Sequence, residues 1–271
     1  MYPVLFKIGW FEAHSYGLLL MVSFLLGIYI ATRRAKKAGI NPNHVVDLSI
    51  VIIVSSLVGA RVMYVAFHLD EFKGRWLDTI NPIQSDETIG IAGLVLLGGI
   101  ILASLSSFVY LKFKKLPILS IFNIITPSIA LGLVIVRIGC FLHGCCFGTE
   151  CTYVWGVIFP PDSPAGYIFP GQPIHPAQLY ASFGGAVIFI LLLLSEKVQF
   201  FKDKTFFTFL ILYGISRFTV EIFRYHDENM VLFDDVSVNQ GLSVALIIVG
   251  ISAIFYSASK KTELMMKEIV K

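Results

Sequence analysis

Long, unbroken apolar runs dominate the chain, and polar residues gather in the segments between them. A helix needs ~20 mostly apolar residues to cross the hydrocarbon core of a bilayer. Seven stretches meet or approach that length, at about 12–31, 45–68, 89–111, 117–139, 178–195, 205–224 and 238–257. Charged residues are missing from Tyr16 to Ala31, from Ile89 to Leu111 and from Val238 to Ser257. The runs lack the in/out alternation of membrane-barrel strands, so the pattern predicts an all-α integral membrane protein with seven transmembrane helices. The longest connection, residues 140–177, is rich in Gly, Pro, Cys and aromatics. Turn signals at Pro160-Pro161, Ser163-Pro164 and Pro170-Gly171 predict a folded loop between spans 4 and 5, with a short strand at Val154–Phe159. With no internal repeat, low-complexity tract or break in composition, residues 1–271 read as a single polytopic membrane domain.

Composition narrows the class. Hydrophobic residues make up 56% of the 271 positions, and mean hydropathy is +0.78. Charged residues make up 14%, against ~25% in soluble domains. A soluble domain exposes more charge, and a disordered chain is more polar. A protein anchored by one span is excluded too, because the apolar runs extend through the whole length.

Basic residues set the expected orientation. Arg33, Arg34, Lys36 and Lys37 follow span 1, and Lys112, Lys114 and Lys115 follow span 3. Lys197, Lys202 and Lys204 follow span 5, and Lys260, Lys261, Lys267 and Lys271 follow span 7. These are fourteen of the 21 Lys and Arg; the opposite side carries only Lys7, Lys73 and Arg75. The N-terminus is therefore expected outside and the C-terminus in the cytoplasm. The first basic cluster follows its apolar run, the reverse of a signal peptide, so span 1 reads as uncleaved. The net charge of +3 is mostly this topological signal and not a nucleic-acid footprint.

Arg61, Arg137, Arg217 and Arg224, with Glu221, belong to neither set. The orientation puts Arg61 in the outer half of span 2, Arg137 at the outer end of span 4, and Arg217, Glu221 and Arg224 at i, i+4 and i+7 on one face of span 6. Charge at that depth costs several kcal/mol unless paired or wetted, which makes such residues functional candidates. A purely structural reading pairs Arg217 with Glu221 and lets Arg137 and Arg224 snorkel to headgroups. One glutamate cannot balance four arginines, however. Arginine stays protonated and binds phosphate bidentately, so the set calls for an anionic phosphate, and at this depth for a phospholipid headgroup.

All four cysteines, Cys140, Cys145, Cys146 and Cys151, fall within 12 residues of one another around His143. Disulfides of an oxidising exterior and packed free thiols both remain open. His143, Cys145, Cys146, Cys151 and His175 supply enough zinc ligands, but the spacing is not Cys-x2-Cys and vicinal cysteines chelate poorly, so no metal is expected. The absence of Cys-x-x-Cys also argues against a thiol-redox enzyme. His143 lies six residues after Arg137 and is a candidate for the arginine site. His175, in Pro173-Ile-His175-Pro176-Ala-Gln178-Leu-Tyr180, reads first as the start of span 5 and second as a site residue. Gly98-Gly99 allows either close helix packing or the approach of a lipid chain.

The motifs resemble those of the prolipoprotein diacylglyceryl transferases in order and spacing. They are Arg137-Ile-Gly139-x-Phe141-x-x-Gly144, Trp155-Gly-Val-Ile-Phe159-Pro160, His175-Pro-x-Gln178-Leu-Tyr180 and Tyr213-Gly-x-x-Arg217-Phe-x-x-Glu221-x-x-Arg224. Ser15-Tyr16-Gly17-Leu18, Gly59-Ala-Arg61-Val-x-Tyr64 and Gln240-Gly-Leu-Ser243 extend the similarity over nearly the whole chain. The resemblance implies seven spans in a bacterial cytoplasmic (inner) membrane, with the active site facing outward. It implies transfer of the diacylglyceryl group of phosphatidylglycerol to the lipobox cysteine of a prolipoprotein signal peptide, releasing glycerol 1-phosphate, with no cofactor. By the same resemblance, Arg137 and Arg217 bind and polarise the phosphate, Glu221 orients Arg217, and Tyr16, Arg61 and Tyr213 shape the headgroup pocket. His175, Gly98, Gly99 and Arg224 join the substrate-binding set.

Three positions depart from the family pattern. Leu97 stands where the family has a histidine proposed as the base for the thiol, Cys140 replaces an asparagine, and Cys145 replaces an acidic residue. Either His143 takes the thiol's proton, or the arginine field alone favours the thiolate, or the chain is a paralogue using the same donor with another acceptor. A fourth reading is an anionic-lipid binder or transporter without chemistry.

Overall fold

The computed structural model describes residues 4–8, 11–74, 79, 93–226, 231–233 and 236–269. In chain order the elements are β1 (Val4–Ile8), β2 (Phe11–His14), α1 (Ser15–Lys37), α2 (Pro42–Phe67), α3 (Leu69–Phe72), α4 (Leu96–Phe113), α5 (Ile118–His143), α6 (Pro164–Ile168), α7 (Ala177–Ser195), α8 (Thr205–Glu221), β3 (Val231–Phe233), β4 (Val236–Ser237) and α9 (Val238–Ile269). Among the described residues, six helices are long and apolar enough to cross a membrane: α1, α2, α4, α5, α7 and the Val238–Ser259 part of α9. Helix α8, with 17 residues, rises about 26 Å. The chain is thus a helical integral membrane protein, with a helix at each of the seven expected positions.

The boundaries differ from the sequence expectation for identifiable reasons. Residues 11–14 pair with β1 in an antiparallel hairpin, so α1 begins at Ser15. Helix α5 runs four residues past the expected end, which puts Arg137 inside its last two turns. Helix α8 stops at Glu221, because Thr149 N–H donates to the Phe223 carbonyl and Tyr225 N–H donates to the Phe147 carbonyl, drawing the chain into extended pairing. The predicted strand at Val154–Phe159 reduces to one bridge, between Val157 and Ile174. The start of the third run, residues 89–92, and Arg75 lie outside the described residues.

The chain divides into two compact units. In the unit of residues 32–121, α2 starts at an Asn41 cap followed by Pro42, the residue favoured in a first turn. Gly98 and Gly59 lie backbone to backbone, and a Cβ on Gly99 would sit 2.9 Å from the Ser56 carbonyl oxygen. Small residues thus let α2 and α4 pack at close range.

In the unit of residues 1–31 and 122–271, Ala130, Ile188, Leu192 and Phe209 form the core among α5, α7 and α8. Gly139 brings α5 against α1, where a Cβ would lie 3.4 Å from the Tyr16 Cα. Asn123 ties the α7–α8 connection down, donating to the Asp203 carbonyl and accepting from Phe206 N–H at 2.8 and 2.9 Å. A second cluster, Phe147, Phe159, Ala165 and Ile174, gives the segment between α5 and α7 a core of its own.

Candidate functional site

Three segments meet at Gly148. Its N–H donates to the His175 carbonyl at 3.1 Å, the His175 N–H returns to the Thr149 carbonyl at 2.9 Å, and Thr149 N–H reaches the Phe223 carbonyl at 3.0 Å. A Cβ on Gly148 would stand 2.5 Å from both the His175 and the Phe223 carbonyl oxygens, so glycine is required for the approach. This junction locks the end of α5, the start of α7 and the exit of α8 together around the charged residues.

Glu221 is the buried hub of those charges. Its Oε2 lies 3.0 Å from Arg217 Nη2 and 3.8 Å from Arg224 Nη1. Its Oε1 accepts from Asn239 Nδ2 at 2.5 Å and Ser237 Oγ at 3.3 Å, and lies 3.4 Å from His226 Nε2. Arg224 does not share a helical face with Arg217, since α8 has already ended; the turn beyond Glu221 brings it back to the same carboxylate. Arg137 and Arg217 line one cavity with Tyr213, Ser216, Leu133 and Ile188. Three guanidiniums thus accompany one carboxylate, and the surplus positive charge suits an anion.

Ser216 and Val220 also line a wider apolar cavity of about 700 Å3, walled by Trp155, His175, Tyr180 and Phe183. His175 is buried and pairs through Nδ1 with the Tyr180 hydroxyl at 3.1 Å, which accepts from Trp155 Nε1 at 3.0 Å. His175 therefore belongs to the wall of the apolar cavity.

The end of α5 carries the least expected arrangement. Gly144 adopts φ +80°, its N–H donates to the Phe141 carbonyl, and Cys145 N–H turns back to the Cys140 carbonyl at 3.1 Å. This is a Schellman-type helix stop, and it folds Cys145 and Cys146 over Cys140. The three Sγ atoms lie within 4.8 Å of one another. Cys146 is held at φ +59°, a conformation that costs a non-glycine residue about 1–2 kcal/mol. All four cysteines are free thiols, and Cys151 stands apart from the cluster, buried with its Sγ toward the Tyr153 carbonyl. Hydrogen bonds from Cys140 and then Cys145 push the Cys146 thiol well below its usual range, helped by the Arg224 and Arg137 charges and opposed by burial. Hydrogen bonding to Cys140 and Cys146, with burial, pushes Cys145 up.

Cys140 sits three residues from Arg137 and shares its face of α5. His143, six residues on, lies about 120° round the helix from Arg137. Its Nδ1 is buried with no hydrogen-bond partner among the described residues. Tyr16 lies within electrostatic reach of Arg137 and all three clustered thiols. In the other unit, Arg61 donates from Nε to the Thr79 carbonyl at 2.9 Å and from Nη1 to the Gly93 carbonyl at 3.3 Å, with Tyr64 and Phe72 under its guanidinium. The close approach allowed by Gly98 and Gly99 is to α2. The sequence reading missed the three-thiol cluster and the bond from Gln178 Nε2 to the Cys145 carbonyl at 2.8 Å.

The model of the prolipoprotein diacylglyceryl transferase family matches residues 3–256. The chain belongs to this family. Among its relatives, the phosphatidylglycerol–prolipoprotein diacylglyceryl transferase of Clostridium tetani is 30% identical over 261 residues, covering 93% of this chain and 96% of that protein. The Bacillus cytotoxicus enzyme of the same name is 31% identical, covering 96% of this chain and 92% of its own length. A Clostridium perfringens protein, named as transferase 1 of this kind, is 32% identical with 96% of each chain covered. The matches run nearly end to end in both partners, so the likeness is not confined to one segment of the chain.

Proposed function

We propose that this member of the family transfers the diacylglyceryl group of phosphatidylglycerol to the thiol of the lipobox cysteine of a prolipoprotein, the first step of lipoprotein maturation. The acceptor sulfur attacks the glyceryl carbon and forms the C–S bond. The C–O bond to phosphate breaks, and its electron pair leaves with glycerol 1-phosphate. The carrying observation is the cavity that Arg137 shares with Arg217, the latter held at 3.0 Å by buried Glu221. Arginines fixed in advance stabilise the charge that builds on the leaving phosphate. Glu221 orients Arg217 and Arg224, Tyr16 and Tyr213 shape the headgroup pocket, and the apolar cavity beside Ser216 takes an acyl chain. For the acceptor's proton the sequence nominates His143, whose unpaired Nδ1 supports the choice.

The same reading gives the protein seven spans in the bacterial inner membrane, N-terminus outside and C-terminus in the cytoplasm, with α8 as the sixth. The site then faces outward, where signal peptides emerge. To test the activity, purified protein is incubated with phosphatidylglycerol and a precursor peptide carrying its lipobox cysteine. A thioether-linked diacylglyceryl peptide is expected, and none when serine replaces that cysteine. Binding of phosphatidylglycerol without any thioether product would overturn the transferase reading.

A further inference from the structure

Alkylation of a thiol requires a thiolate, because the neutral group, with a pKa of ~8.5, is the weaker nucleophile. His143, the base nominated above, lies about 120° round α5 from Arg137. The same chain carries three thiols gathered at one point, and nothing in the reaction described above uses them.

Cys140 sits in the last turn of α5, and the helix stop at Gly144 returns Cys145 and Cys146 to it, so that the Sγ atoms lie within 4.8 Å of one another. The turn is fixed from outside by Gln178 Nε2 on the Cys145 carbonyl and by Ala165 N–H on the Gly144 carbonyl at 3.1 Å. A Cβ on Gly144 would come 2.8 Å from the Ser163 Cβ, so that contact is tight. The left-handed backbone at Cys146 turns the vicinal pair, which overcomes the poor chelation expected of adjacent cysteines in an extended chain.

We propose that Cys140, Cys145 and Cys146 bind one Zn2+ through three thiolates, and that its fourth position takes the sulfur of the acceptor cysteine. Zinc–sulfur bonds of about 2.3 Å in a tetrahedron put the sulfurs about 3.8 Å apart, a contraction of about 1 Å from the widest spacing here. Three protein ligands with an open fourth position is the arrangement of catalytic zinc, and a thiol entering it is deprotonated. Two positive and three negative charges leave the site with one net negative charge, offset by Arg137 and Arg224, both close enough to act on Cys146. The acceptor's proton passes to water as its sulfur binds zinc. That sulfur then attacks the glyceryl carbon, glycerol 1-phosphate departs with the C–O electron pair, and the thioether, a weaker ligand than a thiolate, leaves the metal. Zinc undergoes no redox change, and this route, unlike the one through His143, needs no side-chain base. The three-thiolate site rests on geometry alone; the occupant of the fourth position rests on the transferase reading.

The test is metal analysis of the full-length protein purified in detergent under reductant. About one zinc per chain is expected, falling at least about tenfold in Cys140→Ser, Cys145→Ser and Cys146→Ser and unchanged in Cys151→Ser. Should those variants misfold, wild-type protein is stripped with a chelator and reloaded with Co2+ alone. A thiolate-to-cobalt absorption band is expected, with ligand-field bands that shift on adding a peptide with the lipobox cysteine and not its serine counterpart. Failure to take up Zn2+ and Co2+, a disulfide within the cluster under reductant, or full transfer by stripped protein would each overturn the proposal. A cobalt spectrum that responds to the thiol peptide without thioether formation would keep the metal site and remove the transferase reading.

Discussion

Gln178 Nε2 donates to the Cys145 carbonyl at 2.8 Å, so a buried side chain in the first turn of α7 holds the turn that ends α5. Gln178→Leu keeps the volume and removes the donor. The carbonyl then loses its partner, at a cost of about 1–3 kcal/mol. Thermal unfolding in detergent should reveal that loss, and maleimide should label Cys145 and Cys146 faster. Labelling at the wild-type rate would mean that the turn is held by other contacts.

Arg137→Ala and Arg217→Ala should each lower diacylglyceryl transfer by ~100-fold or more, the usual scale for losing one preorganised charge stabiliser. Both proteins should still fold, since without Arg217 the Glu221 carboxylate keeps Asn239 and Ser237 as donors. Lysine should not restore the rate, because a point charge cannot reproduce a bidentate fork. Turnover of phosphatidylglycerol at the wild-type rate in either alanine variant would end the phosphate-clamp account.

Glu221→Gln preserves the shape and removes the only carboxylate in contact with Arg217, Arg224 and His226 among the described residues. Breaking a buried pair from one side costs about 3–5 kcal/mol. The melting temperature and the transfer rate should fall together. An unchanged melting temperature would show that the arginines are neutralised by something else.

Gly98→Ala forces a methyl group into the Gly59 backbone and about 2.5 Å from the Met63 Cβ. Overpacking of this kind costs about 1–3 kcal/mol, so reduced yield and thermal stability are expected. A raised KM for phosphatidylglycerol with unaltered stability would instead return Gly98 to the lipid site.

His143→Ala separates two routes to the thiolate. If zinc carries that step, the pH profile of transfer should match wild type. Loss of a limb of the profile near neutral pH would restore His143 as the base.

The helices were legible because apolar length alone specifies a span, and the 22-residue apolar part of α9 answers to the last run. Their ends were less legible, because they depend on distant partners. Arg224 reads as i+7 from Arg217 until the Phe147–Thr149 segment draws the chain away after Glu221. The β1–β2 hairpin was missed because residues 12–14 stand directly against the apolar run and count into span 1, while strands of five and four residues leave little pattern of their own. The thiol cluster was hidden for a different reason. Its members are five and one residues apart, a spacing that suggests no ligand set until Gly144 takes a positive φ and doubles the chain back.

The junction at Gly148 bears on how substrates arrive. One hydrogen-bonded knot joins the turn after α5 to the start of α7 and the exit of α8, so these three segments move as one piece. On the transferase reading proposed above, donor and peptide are then expected to enter sideways from the bilayer, where Ser216 and Val220 line the wider cavity. On that reading, traffic becomes a matter of diffusion in two dimensions, governed by how crowded the surrounding leaflet is with phosphatidylglycerol.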